Sequence, residues 1–123
     1  MTSLAWVNDI SLLIHILAVL AILALLLLQV NKSPRRIHPG IFHSALTALV
    51  AGLVMVGIRT PLHNQNADKW PVLNNAWVGT KFLILLVILF LVFRNFKKPV
   101  VKNSIWISLV ALTSANILIA IFW

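Results

Sequence analysis

Apolar residues fill four long stretches of the chain, residues 10–30, 41–58, 76–93 and 105–123, and polar residues crowd the segments between them. A helix that crosses a bilayer needs about 20 apolar residues, with a range of roughly 17–25. All four stretches meet that requirement. The third does so only if Lys81 folds its ammonium back to the interface, because its uninterrupted apolar run covers residues 82–93. The pattern predicts an all-α fold, an integral membrane four-helix bundle forming one domain over residues 1–123. Pro34, Pro39, Pro61, Pro71 and Pro99 fall outside the apolar cores, so they read as helix stops. The first stretch reads as a retained helix. Its flank carries Asp9 and no Lys or Arg, it is too long for the apolar part of a signal peptide, and no small-residue cleavage site follows it.

The basic residues orient the bundle. Lys32, Arg35 and Arg36 lie in the first connector and Arg94, Lys97, Lys98 and Lys102 in the third. The middle region holds Arg59, Lys69 and Lys81, and the N-terminal segment holds none. Short loops rich in Lys and Arg stay in the cytoplasm. That rule places both termini and the middle loop on the outer, periplasmic or extracellular side. Trp6, Trp70, Trp77 and Trp123 then form an aromatic belt at the outer interface, and Trp106 falls near the inner end of the fourth helix. The seven basic residues of the first and third connectors are expected to meet anionic lipid or acidic partner surfaces.

Composition narrows the classes of function. Hydrophobic residues make up 61% of the chain and charged residues 10%, against roughly 45–50% and about 25% in soluble domains. A soluble enzyme and a disordered chain are both excluded. There is no cysteine, which removes disulfides, thiolate metal sites and thiol catalysis. The formal charge is +8, yet no basic face with interleaved aromatics exists to follow a nucleic-acid backbone, so no nucleic-acid partner is expected.

Candidate chemistry is sparse. The only acids are Asp9 and Asp68, neither inside an apolar core, so no intramembrane carboxylate relay can be built from this chain. His15 and His43 differ in depth by about 15 Å at 1.5 Å per residue, too far to ligate one haem iron. His38 and His43 are five apart, where a helical metal pair wants three or four. His63 lies in the middle loop. Each histidine reads best as a buried neutral imidazole bonded to a carbonyl on the next helix. Lys81 reads as an interface-seeking cation before a functional one. No nucleophile motif or glycine-rich phosphate loop is present, and no catalytic, cofactor-binding or metal-ligating residue is assigned.

Packing signals are stronger. Ser44, Ala48 and Gly52 recur every four residues on the second helix, with Gly40 extending the stripe. On the fourth helix, Ser104 and Ser108 recur at four, as do Ala111 and Ala115. Small faces of this kind let helix backbones approach closely. Asn116, near Thr113 and Ser114, needs a hydrogen-bond partner in the membrane, either Thr47 of the second helix or another chain. The expected arrangement packs helix two against helix four and turns the leucine-rich first helix, including Leu26, and the third helix outward.

The segment Arg35-Arg36-Ile37-His38-Pro39-Gly40-Ile41-Phe42-His43-Ser44-Ala45-Leu46-Thr47-Ala48-Leu49-Val50-Ala51-Gly52 resembles a group of small four-helix integral membrane proteins of actinobacteria. Leu73-Asn74-Asn75-Ala76, Lys81 and the short basic third loop are similar too. Proteins of this kind occur as accessory subunits around the respiratory supercomplex of cytochrome bcc and cytochrome oxidase. The resemblance implies a non-catalytic accessory subunit in the cell membrane, without a cofactor of its own, whose partners are other integral membrane subunits. A weaker similarity is to copper-resistance or DoxX-like membrane proteins. The lack of cysteine and the presence of only Met1 and Met55 argue against copper handling, which uses soft ligands. Two rival readings stand beside the accessory subunit: a small-molecule or metal binder using His15, His63 and Lys81, and a self-assembling homo-oligomer.

Overall fold

The computed structural model describes residues 3–31 and 34–122. Lys32, Ser33 and Trp123 lie outside the described residues. Four helices make up the chain: α1 (Ser3–Leu27), α2 (Pro39–Gln65), α3 (Asn75–Asn95) and α4 (Asn103–Phe122), with no strand among the described residues. All four are long and apolar enough to cross a membrane.

Local chemistry sets the helix ends. Pro39 opens α2, where its missing N–H would have had no partner anyway, and the His38 ring accepts from the Gly40 amide at 2.9 Å. Asn74 caps α3, its Oδ1 accepting from the Trp77 amide at 3.1 Å. Two boundaries depart from the sequence reading. The first helix is already formed at Ser3, ahead of the apolar run, and its opening turns carry the small and polar residues Ala5 and Asn8, both buried against the bundle. The second helix runs through Pro61, which does not act as a stop. An interior proline gives up one backbone hydrogen bond and crowds the carbonyl four residues back. That residue is Gly57, which has no side chain to add to the crowding. The turn beyond is held from outside the helix: Leu62 is fully buried, and His63 Nδ1 lies 2.9 Å from the Trp70 carbonyl.

Each helix packs beside its neighbours in sequence, and α1 also meets α4, closing a four-cornered ring. The closest pair is α1 with α2. Among the described residues, the helices α2 and α4 stand on a diagonal and do not pack against each other. The small stripe of α2 therefore does not receive α4, contrary to expectation. It receives α1: a Cβ built on Gly40 would come within 3.1 Å of the Leu25 side chain, and one built on Gly52 within 3.5 Å of the His15 ring. The buried face of α1 reads Ala5, Asn8, Ser11, Ala18, Ile22 and Leu26, and the small and polar residues over its first four positions mark a packing face as clearly as the α2 stripe does. Leu26, expected to face outward, is completely buried. On α4 the inward face is Trp106, Leu109, Thr113 and Asn116. Ser108 and Ala111 lie on the outside and Ala115 is half-buried. The Ser108 hydroxyl simply donates to the Ser104 carbonyl one turn back.

The core is densest in the half of the bundle near the first and third loops. Ile22, Leu26, Ile41, Ile88, Val92 and Leu109 meet there. Arg35 locks that end. Its Nε donates to Gln29 O at 2.9 Å and its Nη2 to Val30 O at 2.6 Å, covering carbonyls left open where α1 ends, while Nη1 reaches Asn103 Oδ1 at 2.8 Å. The guanidinium stacks 4.2 Å from the Trp106 ring centre, and the Trp106 indole donates to Leu26 O at 3.1 Å. Arg35 is thus an internal tie between α1 and α4, where the sequence reading had it meet lipid or a partner. The Arg36 amide is held by Gln29 Oε1 at 2.8 Å, and Arg36, Arg94, Lys97, Lys98 and Lys102 lie exposed at this end.

Candidate functional site

The opposite half of the bundle, which carries Ser3 and Phe122, is packed less completely. It holds a cavity of about 190 Å³ to which all four helices contribute. Asn8 and His15 come from α1, Gly52 and Arg59 from α2, Trp77 and Lys81 from α3, and Asn116 from α4. The remaining lining is largely aliphatic.

Asn8, Arg59, Lys81 and Asn116 each lie five or six residues in from their helix ends, Ser3, Gln65, Asn75 and Phe122. One polar residue per helix thus lines the cavity, and together the four make its polar layer. Asn8 and Asn116 are only 5% and 6% exposed. Asn8 Oδ1, Asn116 Oδ1 and Arg59 Nε are buried with no hydrogen-bond partner among the described residues. Buried polar atoms are nearly always partnered, because an unmet one carries a desolvation penalty of about 1–3 kcal/mol. Three orphans on three different helices lining the same cavity form a set of unmet hydrogen-bonding groups, the chemistry expected of a binding pocket.

The cations of the layer are positioned by aromatic and backbone partners. Lys81 Nζ lies 4.2 Å from the ring centre of Trp77, one turn back along α3, and the Trp77 indole donates to Ile119 O of α4 at 3.0 Å. The Lys81 stem therefore bends toward the helix end, as an interface-seeking lysine does, and Lys81 lines the cavity. Arg59 Nη1 donates to Pro71 O at 3.2 Å, and its guanidinium carbon stands 5.4 Å from the Trp70 ring centre. Neither Asp9 nor Asp68 lines the cavity, so the two cations meet no carboxylate there.

His15 sits seven residues deeper on α1. Its Nδ1 is 2.7 Å from Ala48 O. A carbonyl only accepts, so Nδ1 carries the proton. The glycine at position 52 gives the ring its space. His63 does not join this site: it bonds the middle loop at Trp70. His43 lies outside the bundle core, edge-on to Phe42, beside a shallow groove with Ser44 and Thr47. Thr47, the sequence candidate for Asn116, donates instead to His43 O within its own helix at 2.8 Å. Among the described residues no group of three His, Asp or Glu side chains is placed to hold a metal ion.

Sequence reasoning singled out His15, Lys81 and Asn116 but passed over Asn8 and Arg59. The equal distance of the four polar residues from the ends of their spans was the signal that could have joined them. No protein-family model matches the chain, and no curated protein and no solved structure is significantly similar to it.

Proposed function

We propose that this chain is a multi-pass cell-membrane protein that binds a lipophilic small molecule within its four-helix cavity, with both termini and the polar layer toward the outer face. The observation that carries the proposal is the convergence of Asn8, Arg59 and Asn116, each with an unpartnered buried atom, on one cavity. The reading is one of binding without turnover, since the cavity contains no carboxylate to pair with Lys81 or His15 in acid–base work. An accessory subunit of a respiratory complex would dock through outward apolar faces such as Leu83, Phe90 and Phe93 of α3. Lipid covers such faces equally well, whereas lipid around the bundle does not account for a polar layer inside it.

The test is purification of the full chain in a neutral detergent, organic extraction, and mass spectrometry of what comes out. A stoichiometric small molecule, reduced in Asn8→Leu and Asn116→Leu variants that still fold, supports binding. Wild-type protein that yields no such molecule, and whose thermal stability no lipophilic candidate raises, overturns it. Cysteines at Ser3 and Lys98 that label from opposite sides of intact cells, Ser3 from outside, would bear on the orientation.

A further inference from the structure

We infer that the cavity takes an anionic amphiphile, with a carboxylate or phosphate head between Arg59 and Lys81 and an apolar tail directed toward the gap between α2 and α3. This rests on the binding reading above and adds the chemical class of the ligand.

Electrostatics selects the head. Two cationic side chains on adjoining helices line the cavity, and neither of the chain's two acids does. A buried charge is strongly disfavoured unless it is paired and hydrogen-bonded. The Trp77 ring gives Lys81 one favourable contact, and the Pro71 carbonyl takes one of Arg59's donors. Arg59 Nε remains buried and unpartnered. An oxyanion between the two would neutralise both and accept from Nε in a charge-assisted hydrogen bond. A metal cation would meet repulsion in the same place, and a neutral ligand would leave both charges uncompensated.

The amides complete the head site. Asn8 and Asn116 line the same cavity from α1 and α4. A half-turn about the terminal torsion exchanges Oδ1 and Nδ2, which are nearly the same size. Each amide thus offers either a donor to an oxyanion or an acceptor to a head-group hydroxyl.

The tail follows from what lies deeper. Past the polar layer His15 lines the α1 side, and the α2–α3 side is Leu49, Gly52, Leu53, Val56, Phe82 and Leu85. Leu53 and Val56 on α2 and Phe82 on α3 are nonetheless exposed, so the cavity is open along this side. The cavity wall and the lipid-facing surface therefore share residues along the α2–α3 side, and a chain lying there passes from cavity to bilayer over carbon throughout.

The experiment uses the full chain in neutral detergent and follows displacement of a fluorescent fatty acid. The competitors are an unlabelled long-chain fatty acid, its methyl ester, a long-chain alkyl phosphate and inorganic phosphate. The fatty acid and the alkyl phosphate should displace the probe, the methyl ester about tenfold less well. Inorganic phosphate should compete only at far higher concentration, because it lacks the tail. If it competes as well as the alkyl phosphate, the ligand is a free oxyanion and the tail assignment is overturned. Raising the salt concentration should weaken the acid and leave the ester unchanged, a readout that needs no variant. Arg59→Gln with Lys81→Gln should erase the preference for acid over ester while ester binding persists. If ester and acid compete equally in the wild type, the charge assignment fails and the cavity reading stands. If the probe does not bind and no competitor raises the melting temperature, the cavity reading fails as well.

Discussion

His15 Nδ1 and the carbonyl oxygen of Ala48 lie 2.7 Å apart across the α1–α2 interface, and Gly52, one turn along α2, leaves room for the ring that makes the bond. The two helices meet through a histidine and a glycine rather than through two glycines. A Cβ at position 52 would stand 3.5 Å from His15 Cε1, an ordinary contact distance. Gly52→Ala should therefore be tolerated and add up to about 1 kcal/mol of helix propensity. Gly52→Leu must push the imidazole away from Ala48 and fill part of the cavity, with a loss of roughly 1–3 kcal/mol. Thermal unfolding in neutral detergent measures both. A leucine variant as stable as wild type would show that the α1–α2 groove does not depend on this fit.

Leu26 tests the assignment of the α1 faces. It is completely buried, between Ile22 and the Trp106 indole that donates to its carbonyl, whereas Leu13, on the same helix, is 58% exposed. Leu26→Ala should lower stability by about 2–5 kcal/mol. Leu13→Ala should change it by no more than about 0.5 kcal/mol. The reverse ranking would place α1 with its other face toward the bundle.

Arg35 is the tie at the opposite end from the cavity. Its guanidinium serves two α1-end carbonyls, Asn103 and the Trp106 face together. A lysine keeps the charge but not the planar fork. Arg35→Lys should therefore destabilise the protein by roughly 1–2 kcal/mol and speed proteolysis at the first loop. Arg36→Lys, at an exposed neighbour, should do neither. Equal behaviour of the two variants would mean that charge alone matters at this loop.

The four helices were legible in the sequence because the apolar runs are long and a bilayer sets their length. The rotation of each helix was not. In a soluble bundle an apolar stripe points to the core, but here lipid and core are equally apolar, so leucines mark neither. Leu26 and Leu13 look alike in sequence and have opposite fates. What identifies the inside of α1 is the small and polar series through Ala5, Asn8, Ser11 and Ala18, because small residues gain by packing and polar ones by finding partners. The same logic, applied to depth instead of rotation, would have placed Arg59 beside Lys81. Pro61 hid it: reading that proline as a stop moved Arg59 from the helix into the loop.

Asn116 separates the two functional readings most directly. Its amide is 6% exposed on the inner face of α4 and its Oδ1 has no partner among the described residues. Leucine keeps the branching at Cγ, carries no polar group, and is larger, with the adjoining cavity to take its methyls. If the cavity exists to hold a ligand, the amide is retained at the expense of stability in the ligand-free protein. Asn116→Leu should then unfold at a higher temperature than wild type, by the equivalent of about 1–3 kcal/mol for an unmet buried amide. Added long-chain fatty acid should raise the melting temperature of wild type and raise that of the variant less. The two shifts have opposite signs for the variant relative to wild type, so a general change in packing cannot imitate the pair. A variant that unfolds earlier than wild type, with or without fatty acid, would show that Asn116 already has a partner in the membrane. The natural candidate would then be another protein chain, and α4 would be a docking helix in place of one wall of a binding site.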